Sequence, residues 1–110
     1  MIGILIVTHG EIGKSFIDCV SHILGKSINL LECIPVDPKS NLEQCQELID
    51  IEIKNLDTGS GVLILTDIYG ATPSNILKKY TTQDNVEIIT GINLPMLIQA
   101  ITNRDGSLSQ

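Results

Sequence analysis

The feature that most constrains the fold is an almost uninterrupted apolar run at the start of the chain, residues 2–7 (IGILIV), which leads into Thr8, His9 and Gly10. A strand that is apolar at both alternating positions has both of its faces covered. The run therefore predicts an interior strand of a parallel sheet with helices on either side. His9 then lies at the carboxyl end of that strand, where open α/β sheets gather their ligands.

A second run of the same kind, residues 62–66 (VLILT), ends at Asp67. Weaker strand signals cover residues 28–36, where Pro35 and Asp37-Pro38 end the strand, and residues 86–90. The two most apolar strands are expected to lie side by side in the centre of the sheet, with the other two flanking them.

Apolar residues at three- and four-residue spacing predict amphipathic helices between these strands. The first helix ends at Gly25, where left-handed backbone is tolerated, and the second follows Ser40 and Glu43, a capping-box pair. Helices are also predicted after Pro73, running through Tyr80, and after Pro95. The predicted inward faces of the two long helices are Ile12, Phe16, Ile17, Val20, Ile23 and Leu24 in the first, and Leu42, Cys45, Leu48, Ile49, Ile53 and Leu56 in the second, with Ile51 off the stripe.

The resulting βαβαβαβα order predicts an α/β fold: an open, doubly wound parallel sheet with right-handed crossovers and strand order 2-1-3-4, in three α/β/α layers. The 110 residues, 43% of them apolar, are enough for one core. We expect a single domain over residues 1–103 and a polar tail over residues 104–110.

Composition narrows the possible functions and locations. The net charge is −6, with a single arginine, Arg104, so nucleic acid is not expected as a partner and a basic docking partner is favoured. No apolar run approaches the roughly 20 residues of a membrane helix, and no basic segment of a signal peptide precedes Ile2. We therefore expect a cytoplasmic protein without membrane insertion.

The cysteines and the second histidine are interpreted structurally. Cys19, Cys33 and Cys45 fall on apolar positions with no C-x-x-C pair, which is typical of buried reduced thiols. His22 lies on the polar face of the first helix and is interpreted as solvated. Neither a metal nor a cofactor is expected.

His9 and Asp67 are the candidate catalytic pair. The predicted strand order places both at the carboxyl edge of the sheet, at the switch point between its halves. A carboxylate that accepts a hydrogen bond from one ring nitrogen leaves the other nitrogen as an outward nucleophile and stabilises positive charge on the ring.

Helix amino termini after Gly10 and Thr72 face the same edge and favour a phosphoryl group. The Thr72 hydroxyl can donate to a phosphoryl oxygen, and the absence of a Walker lysine or G-x-G-x-x-G motif favours phosphate carried on His9 over a bound nucleotide. Thr72 before Pro73 is also ordinary helix capping, and Asn93 is interpreted as a turn or cap residue.

Three segments, residues 4–10 (ILIVTHG), 66–75 (TDIYGATPSN) and 90–96 (TGINLPM), resemble the cytoplasmic A component of the mannose-family phosphotransferase system (PTS). The resemblance implies that His9 accepts a phosphoryl group from phospho-HPr and passes it to the B component (EIIB) of a sugar permease. It also implies that Asp67 orients His9 and that Thr72 is a nearby hydroxyl.

Family members are commonly homodimers, which implies a homodimer here. Ala71 stands where the family usually has a second glycine. The family also typically continues, after the helix predicted at residues 94–103, into a further helix and a strand that can pair with a neighbouring subunit. Because the sequence ends soon after that helix, we do not expect a strand-exchanged dimer.

Other functions compete with the carrier. A regulatory paralogue, whose phosphorylation state controls a partner, would have the same site, as would the related phosphotransfer subunit of dihydroxyacetone kinase, which normally belongs to a longer chain. A histidine-dependent phosphatase needs arginines around the phosphoryl oxygens. A metal hydrolase using His9, Asp67 and His22 lacks a convergent third ligand.

Overall fold

A computed structural model describes residues 1–37, 41–67 and 76–104 of the chain. The strands in these residues are β1 (Gly3–His9), β2 (Leu31–Val36), β3 (Val62–Thr66) and β4 (Val86–Thr90), and the helices are α1 (Ile12–Leu24), α2 (Leu42–Leu56) and α3 (Leu94–Thr102). Within the described residues, strands and helices alternate as predicted up to β3 and again from β4. Most of the predicted helix from Pro73 to Tyr80 lies outside the described residues or, at Lys78–Tyr80, is a 3-10 turn.

The described strands form one parallel four-stranded sheet in the order β2-β1-β3-β4, which confirms the predicted order. In the register, Val7 of β1 lies opposite Thr66 of β3, and His9 lies opposite Val36 of β2. The carboxyl ends of β1 and β3 therefore meet at one edge. This edge is called the carboxyl edge below, and the opposite one the amino edge.

The core lies on both faces of the sheet, as expected when β1 is apolar at alternating positions. Leu5 and Val7 pack with α2 and Tyr80 on one face, whereas Ile4 and Ile6 pack with α1 and α3 on the other. All four of these β1 side chains are fully buried. Two clusters separated by the sheet are the three-layer arrangement that the sequence predicts.

The long helices have narrower buried faces than predicted. Ile12 and Leu42 are each the first residue of a helix, and they are 45% and 48% exposed. Because Cβ atoms tilt toward the amino terminus of a helix, a side chain at the first position extends past the covered surface. Ile23 and Leu48, 54% and 52% exposed, lie on the flanks of their stripes. Predicting these four as core residues was wrong.

The carboxyl end of α1 is capped as predicted, whereas the residue that caps the amino end of α2 differs from the prediction. Gly25 ends α1 with φ +69°, and its N–H donates to the carbonyl of His22, as the left-handed position requires. The residue that caps α2 is Asn41, whose side-chain oxygen accepts from the N–H groups of Glu43 and Gln44. Ser40, the predicted cap, lies outside the described residues.

Two further predictions need correction. Arg104, assigned to the polar tail, is 7% exposed: its guanidinium donates to the carbonyls of Asn29 and Leu30, and its carbonyl accepts from Ile2. Cys19 is exposed rather than buried, because it lies off the apolar stripe of α1. Cys45 is buried as predicted. Burial raises the pKa of the half-buried Cys33 thiol, to which Glu32 contributes a smaller effect.

Candidate active site

His9 and Asp67 come together at the carboxyl edge, as the strand order predicts. The ring Nδ1 of His9 lies 2.9 Å from Oδ2 of Asp67. The same Oδ2 accepts the backbone N–H of His9 at 3.1 Å. One carboxylate oxygen of Asp67, the residue after β3, therefore holds both the main chain and the ring of the histidine that ends β1.

The arrangement leaves the other ring nitrogen available. With Nδ1 directed at a carboxylate, the ring proton lies on Nδ1 and the Nε2 lone pair points away from Asp67. The His9 side chain is 35% exposed, and the Asp67 side chain 14%. The histidine is thus accessible to a partner, while the acid that orients it is largely shielded from water.

Two polar atoms beside this pair remain unpaired. Among the described residues, Oδ1 of Asp67 and Oγ1 of Thr66 are buried side-chain oxygens without a hydrogen-bond partner. A buried polar atom that makes no hydrogen bond is unusual and destabilising, by roughly 1–3 kcal/mol. The end of β3 therefore has hydrogen-bonding capacity that no described residue uses.

The backbone that follows His9 is fixed by further contacts. Gly10 has φ +49°, and its N–H donates to the carbonyl of Val36 at 3.1 Å. The N–H of Gly13, in the first turn of α1, donates to Oγ1 of Thr8 at 2.8 Å. Sequence reasoning missed Thr8, because a β-branched residue in an apolar strand is explained by strand propensity alone.

The amino terminus of α1 lies at the same edge as His9. Glu11 is its N-cap residue, and in the part of the chain that is described its side chain makes no capping hydrogen bond. The amino end of a helix carries partial positive charge and favours an anion nearby. A doubly charged phosphoryl group on His9 would lie in a favourable field.

The remaining candidates fall into three groups. Thr72, with Gly70, Ala71 and Pro73, lies outside the described residues. Asn93 is the predicted cap: its Oδ1 accepts the N–H of Met96 at the start of α3, at 2.9 Å. His22 is exposed on α1, as its solvated interpretation predicts.

The described residues contain no candidate metal site and no candidate membrane-spanning helix. Residues 1–37, 41–67 and 76–104 contain no group of three or more His, Cys, Asp or Glu side chains that could hold a metal ion. In the same residues, none of the helices has the length and apolar character needed to cross a membrane.

Together, the sheet order and the histidine–aspartate pair define an open parallel α/β domain with a partly exposed histidine at its switch point. The chain belongs to the EIIA-man family, whose model, described as "PTS system fructose IIA component", matches residues 3–110. This confirms the resemblance seen in the three sequence segments and makes the protein a member of a PTS component family.

Individual relatives agree with this assignment. The PTS system mannose-specific EIIAB component of Escherichia coli (strain K12) is 32% identical over 105 residues, which are 94% of this chain and 32% of that protein. The chain thus spans about a third of the length of that relative. The PTS system fructose-specific EIIA component of Bacillus subtilis (strain 168) is 27% identical over 106 residues, which are 96% of this chain and 72% of the relative.

Solved structures share the fold. The PTS IIA protein associated with the fucose utilization operon from Streptococcus pneumoniae superimposes with a TM-score of 0.83 at 27% identity, covering 96% of this chain and 80% of that one. The phosphotransferase system component EIIA from Streptococcus agalactiae gives a TM-score of 0.84 at 24% identity, covering 99% and 85%.

Proposed function

We propose that this protein is a cytoplasmic phosphohistidine carrier of the sugar phosphotransferase system. It accepts a phosphoryl group on His9 from phospho-HPr and donates it to an EIIB component. The observation that carries the proposal is the 2.9 Å contact between Nδ1 of His9 and Oδ2 of Asp67 at the carboxyl edge. Membership of the EIIA-man family supports it.

The transfer step follows from the orientation of the ring. The Nε2 lone pair attacks the phosphorus of the donor phosphohistidine, and a new N–P bond forms while the donor N–P bond breaks. The electron pair of the broken bond returns to the donor ring, which leaves as neutral imidazole when its other nitrogen is protonated. His9 keeps its proton on Nδ1, so the phosphorylated ring is cationic.

Asp67 has two roles in this step. It holds the tautomer in which Nε2 is the nucleophile, and its negative charge stabilises the cationic ring that forms. Its second contact, to the backbone N–H of His9, limits movement of the ring relative to β3. The onward transfer reverses the same chemistry, with a nucleophile of EIIB attacking the phosphorus.

Thr72 is proposed as a hydroxyl donor to the phosphoryl oxygens, on the strength of its match to the family segment 66–75. A histidine-dependent phosphatase is disfavoured because its site needs arginine. The only arginine of the chain, Arg104, lies at the amino edge and donates to the carbonyls of Asn29 and Leu30.

The charge distribution suits a basic docking partner such as HPr. Glu11 and Asp37 are exposed: Glu11 follows β1, the strand that His9 ends, and Asp37 follows β2, the neighbouring strand. Oppositely charged surfaces increase association rates.

We also propose that the carrier acts as a homodimer. Measurement of its molar mass in solution by light scattering would test this.

The direct test is transfer of labelled phosphate from phosphoenolpyruvate through enzyme I and HPr. Wild type should take up one acid-labile phosphoryl group, and His9→Ala should take up none. His22→Ala is the matched control, because His22 is the other histidine of the chain and is exposed on α1. Stoichiometric labelling of His9→Ala would contradict the site assignment.

The acceptor side requires a second step in the same assay. Adding a candidate EIIB should remove the label from wild-type protein and transfer it to EIIB. Retention of the label with every EIIB of the same organism would contradict the transport role and favour the regulatory paralogue.

A further inference from the structure

Thr8 makes an unusual contact immediately before the candidate histidine. Its side chain is fully buried, and its Oγ1 accepts the N–H of Gly13 at 2.8 Å. The first-turn N–H groups of a helix are usually capped by the N-cap residue itself. Here the N-cap is Glu11, which makes no such bond among the described residues, and a residue of the preceding strand supplies the acceptor.

Helix α1 packs closely against the sheet where Gly13 contacts Thr8. A Cβ atom added to Gly13 would lie 3.0 Å from Oγ1 of Thr8 and 3.1 Å from both Cβ of Cys33 and Cγ2 of Ile6. The first turn of α1 is therefore pressed against β1 and β2. Thr8 closes a loop of four residues, and His9 is the first of them.

His9 is thus held from two directions. Asp67 binds the backbone N–H and the ring Nδ1 of His9. The backbone that follows His9 passes through Gly10 to Gly13, whose N–H donates to the Thr8 hydroxyl. Without that hydroxyl, the Gly13 N–H would be buried with no acceptor, which is strongly unfavourable. The start of α1 would then move toward water, and the loop that begins at His9 would move with it.

We propose that Thr8 is a positioning residue for phosphoryl transfer. Its hydroxyl anchors the loop after His9, so that His9 keeps both contacts with Asp67 and presents Nε2 outward. Thr8 does not touch the phosphoryl group, because its oxygen is buried and already engaged. This inference rests on the proposed carrier function, but the hydrogen bond between His9 and Asp67 can be measured without any transfer.

The test compares Thr8→Val, which keeps the shape and removes the acceptor, with Thr8→Ser, which restores the hydroxyl. Single-turnover transfer is measured with phospho-HPr and with phosphoramidate, a small phosphoryl donor that needs no protein docking. We expect Thr8→Val to lower the rate at saturating donor by about tenfold or more, since small misplacements of reacting groups have effects of this size. The half-saturating donor concentration should not change, and Thr8→Ser should recover most of the rate.

A spectroscopic readout separates positioning from folding. The Nδ1–H proton of His9, observed by NMR of ¹⁵N-labelled protein, should be shifted or broadened in Thr8→Val and restored in Thr8→Ser. Asn41→Ala is the matched control, because it removes the cap of α2 and leaves the loop after His9 intact. It should lower the melting temperature without changing the transfer rate or the Nδ1–H signal.

The possible results are distinguishable. A Thr8→Val protein that transfers at the wild-type rate per folded molecule, with an unchanged Nδ1–H signal, would overturn the inference. If Thr8→Val does not fold, Gly13→Ala displaces the same hydroxyl by its methyl group and should shift the signal in the same direction, and an unchanged signal would again overturn it. A wild-type protein that accepts no phosphate on His9 would refute the carrier function, whereas the NMR comparison would still decide the role of Thr8.

Discussion

The two edges of the sheet are built on different principles. At the amino edge, polar groups are paired with one another: Asp57 accepts from the backbone of Gly59 and Gly61 and from the side chain of Asn85. At the carboxyl edge, Asp67 contacts both the ring Nδ1 and the backbone N–H of His9, and it uses the same carboxylate oxygen for both. Hydrogen bonds pair the polar groups of the amino edge, whereas the carboxyl edge has side-chain oxygens that no described residue pairs.

The difference indicates that contacts at the amino edge contribute mainly to folding stability, whereas the carboxyl edge has groups available for a reaction. Residues of the amino edge join distant parts of the sequence, as when Arg104 binds the loop before β2 and the start of β1. The carboxyl edge keeps the buried oxygens of Thr66 and Asp67 unpaired among the described residues. Substitutions at the two edges should therefore separate function from stability.

The largest effect is expected from Asp67→Asn at the carboxyl edge. An amide cannot hold the Nδ1–H tautomer with a negative charge or stabilise the cationic ring, so phosphoryl transfer to His9 should fall on the order of 100-fold. Stability should change little, because the amide oxygen can still accept the His9 backbone N–H. Rapid-quench transfer and thermal melting of the same preparation check both parts, and wild-type transfer by this variant would contradict the role of Asp67.

Gly3→Ala should give the largest loss of stability at the amino edge. A Cβ atom at Gly3 would lie 2.5 Å from the carbonyl oxygen of Leu56 and 2.7 Å from its Cβ, so backbone must move. Overpacking of this kind destabilises by about 1–3 kcal/mol, and contact with backbone favours the upper end. Urea unfolding measures the change, and the folded fraction should still accept phosphate at the wild-type rate.

Arg104→Met should also destabilise without touching the site. The change leaves the carbonyls of Asn29 and Leu30 without their charged donor in a position that is 7% exposed. We expect a loss of about 2 kcal/mol, in the range for an unsatisfied buried group. Arg104→Lys provides the comparison that keeps the charge but not the forked geometry, and a melting temperature equal to wild type for both variants would contradict this account of the amino edge.

Asp57→Asn should give the smallest effect, and one that depends on pH. Hydrogen bonds from the backbone of Gly59, the side chain of Asn85 and the backbone of Gly61 lower the pKa of Asp57. A carboxyl whose pKa is lowered on folding adds stability above its unfolded pKa of about 3.9, and this stability is lost as pH falls through the lower, folded value. Wild type and Asp57→Asn should differ most near neutral pH and converge in acid, as measured by melting temperature between pH 2 and 7.

Much of the fold could be predicted because β1 and β3 are almost continuously apolar, which is typical of interior strands of a parallel sheet. The two fully apolar runs gave the centre of the sheet, and Gly25 and Asn93 marked helix ends by their local chemistry alone. The meeting of His9 and Asp67 followed from strand order, since parallel strands that are neighbours bring their carboxyl ends together.

What could not be predicted depends on contacts between distant residues. Nothing near Arg104 in the sequence shows that Asn29 and Leu30, some 75 positions earlier, present their carbonyls to it. The capping role of Thr8 requires knowing how closely α1 approaches the sheet. The exposure of Ile12 and Leu42 depends on where each helix begins, which periodicity locates only approximately.

The most direct test of the central claim is to find which nitrogen carries the phosphoryl group. Protein labelled with ¹⁵N at histidine, phosphorylated through enzyme I and HPr, should show phosphorus coupled to Nε2 of His9, with Nδ1 still protonated and bound to Asp67. Phosphate on Nδ1 of His9, or on His22, would contradict the account, because the first would displace Asp67 and the second would lie away from the carboxyl edge.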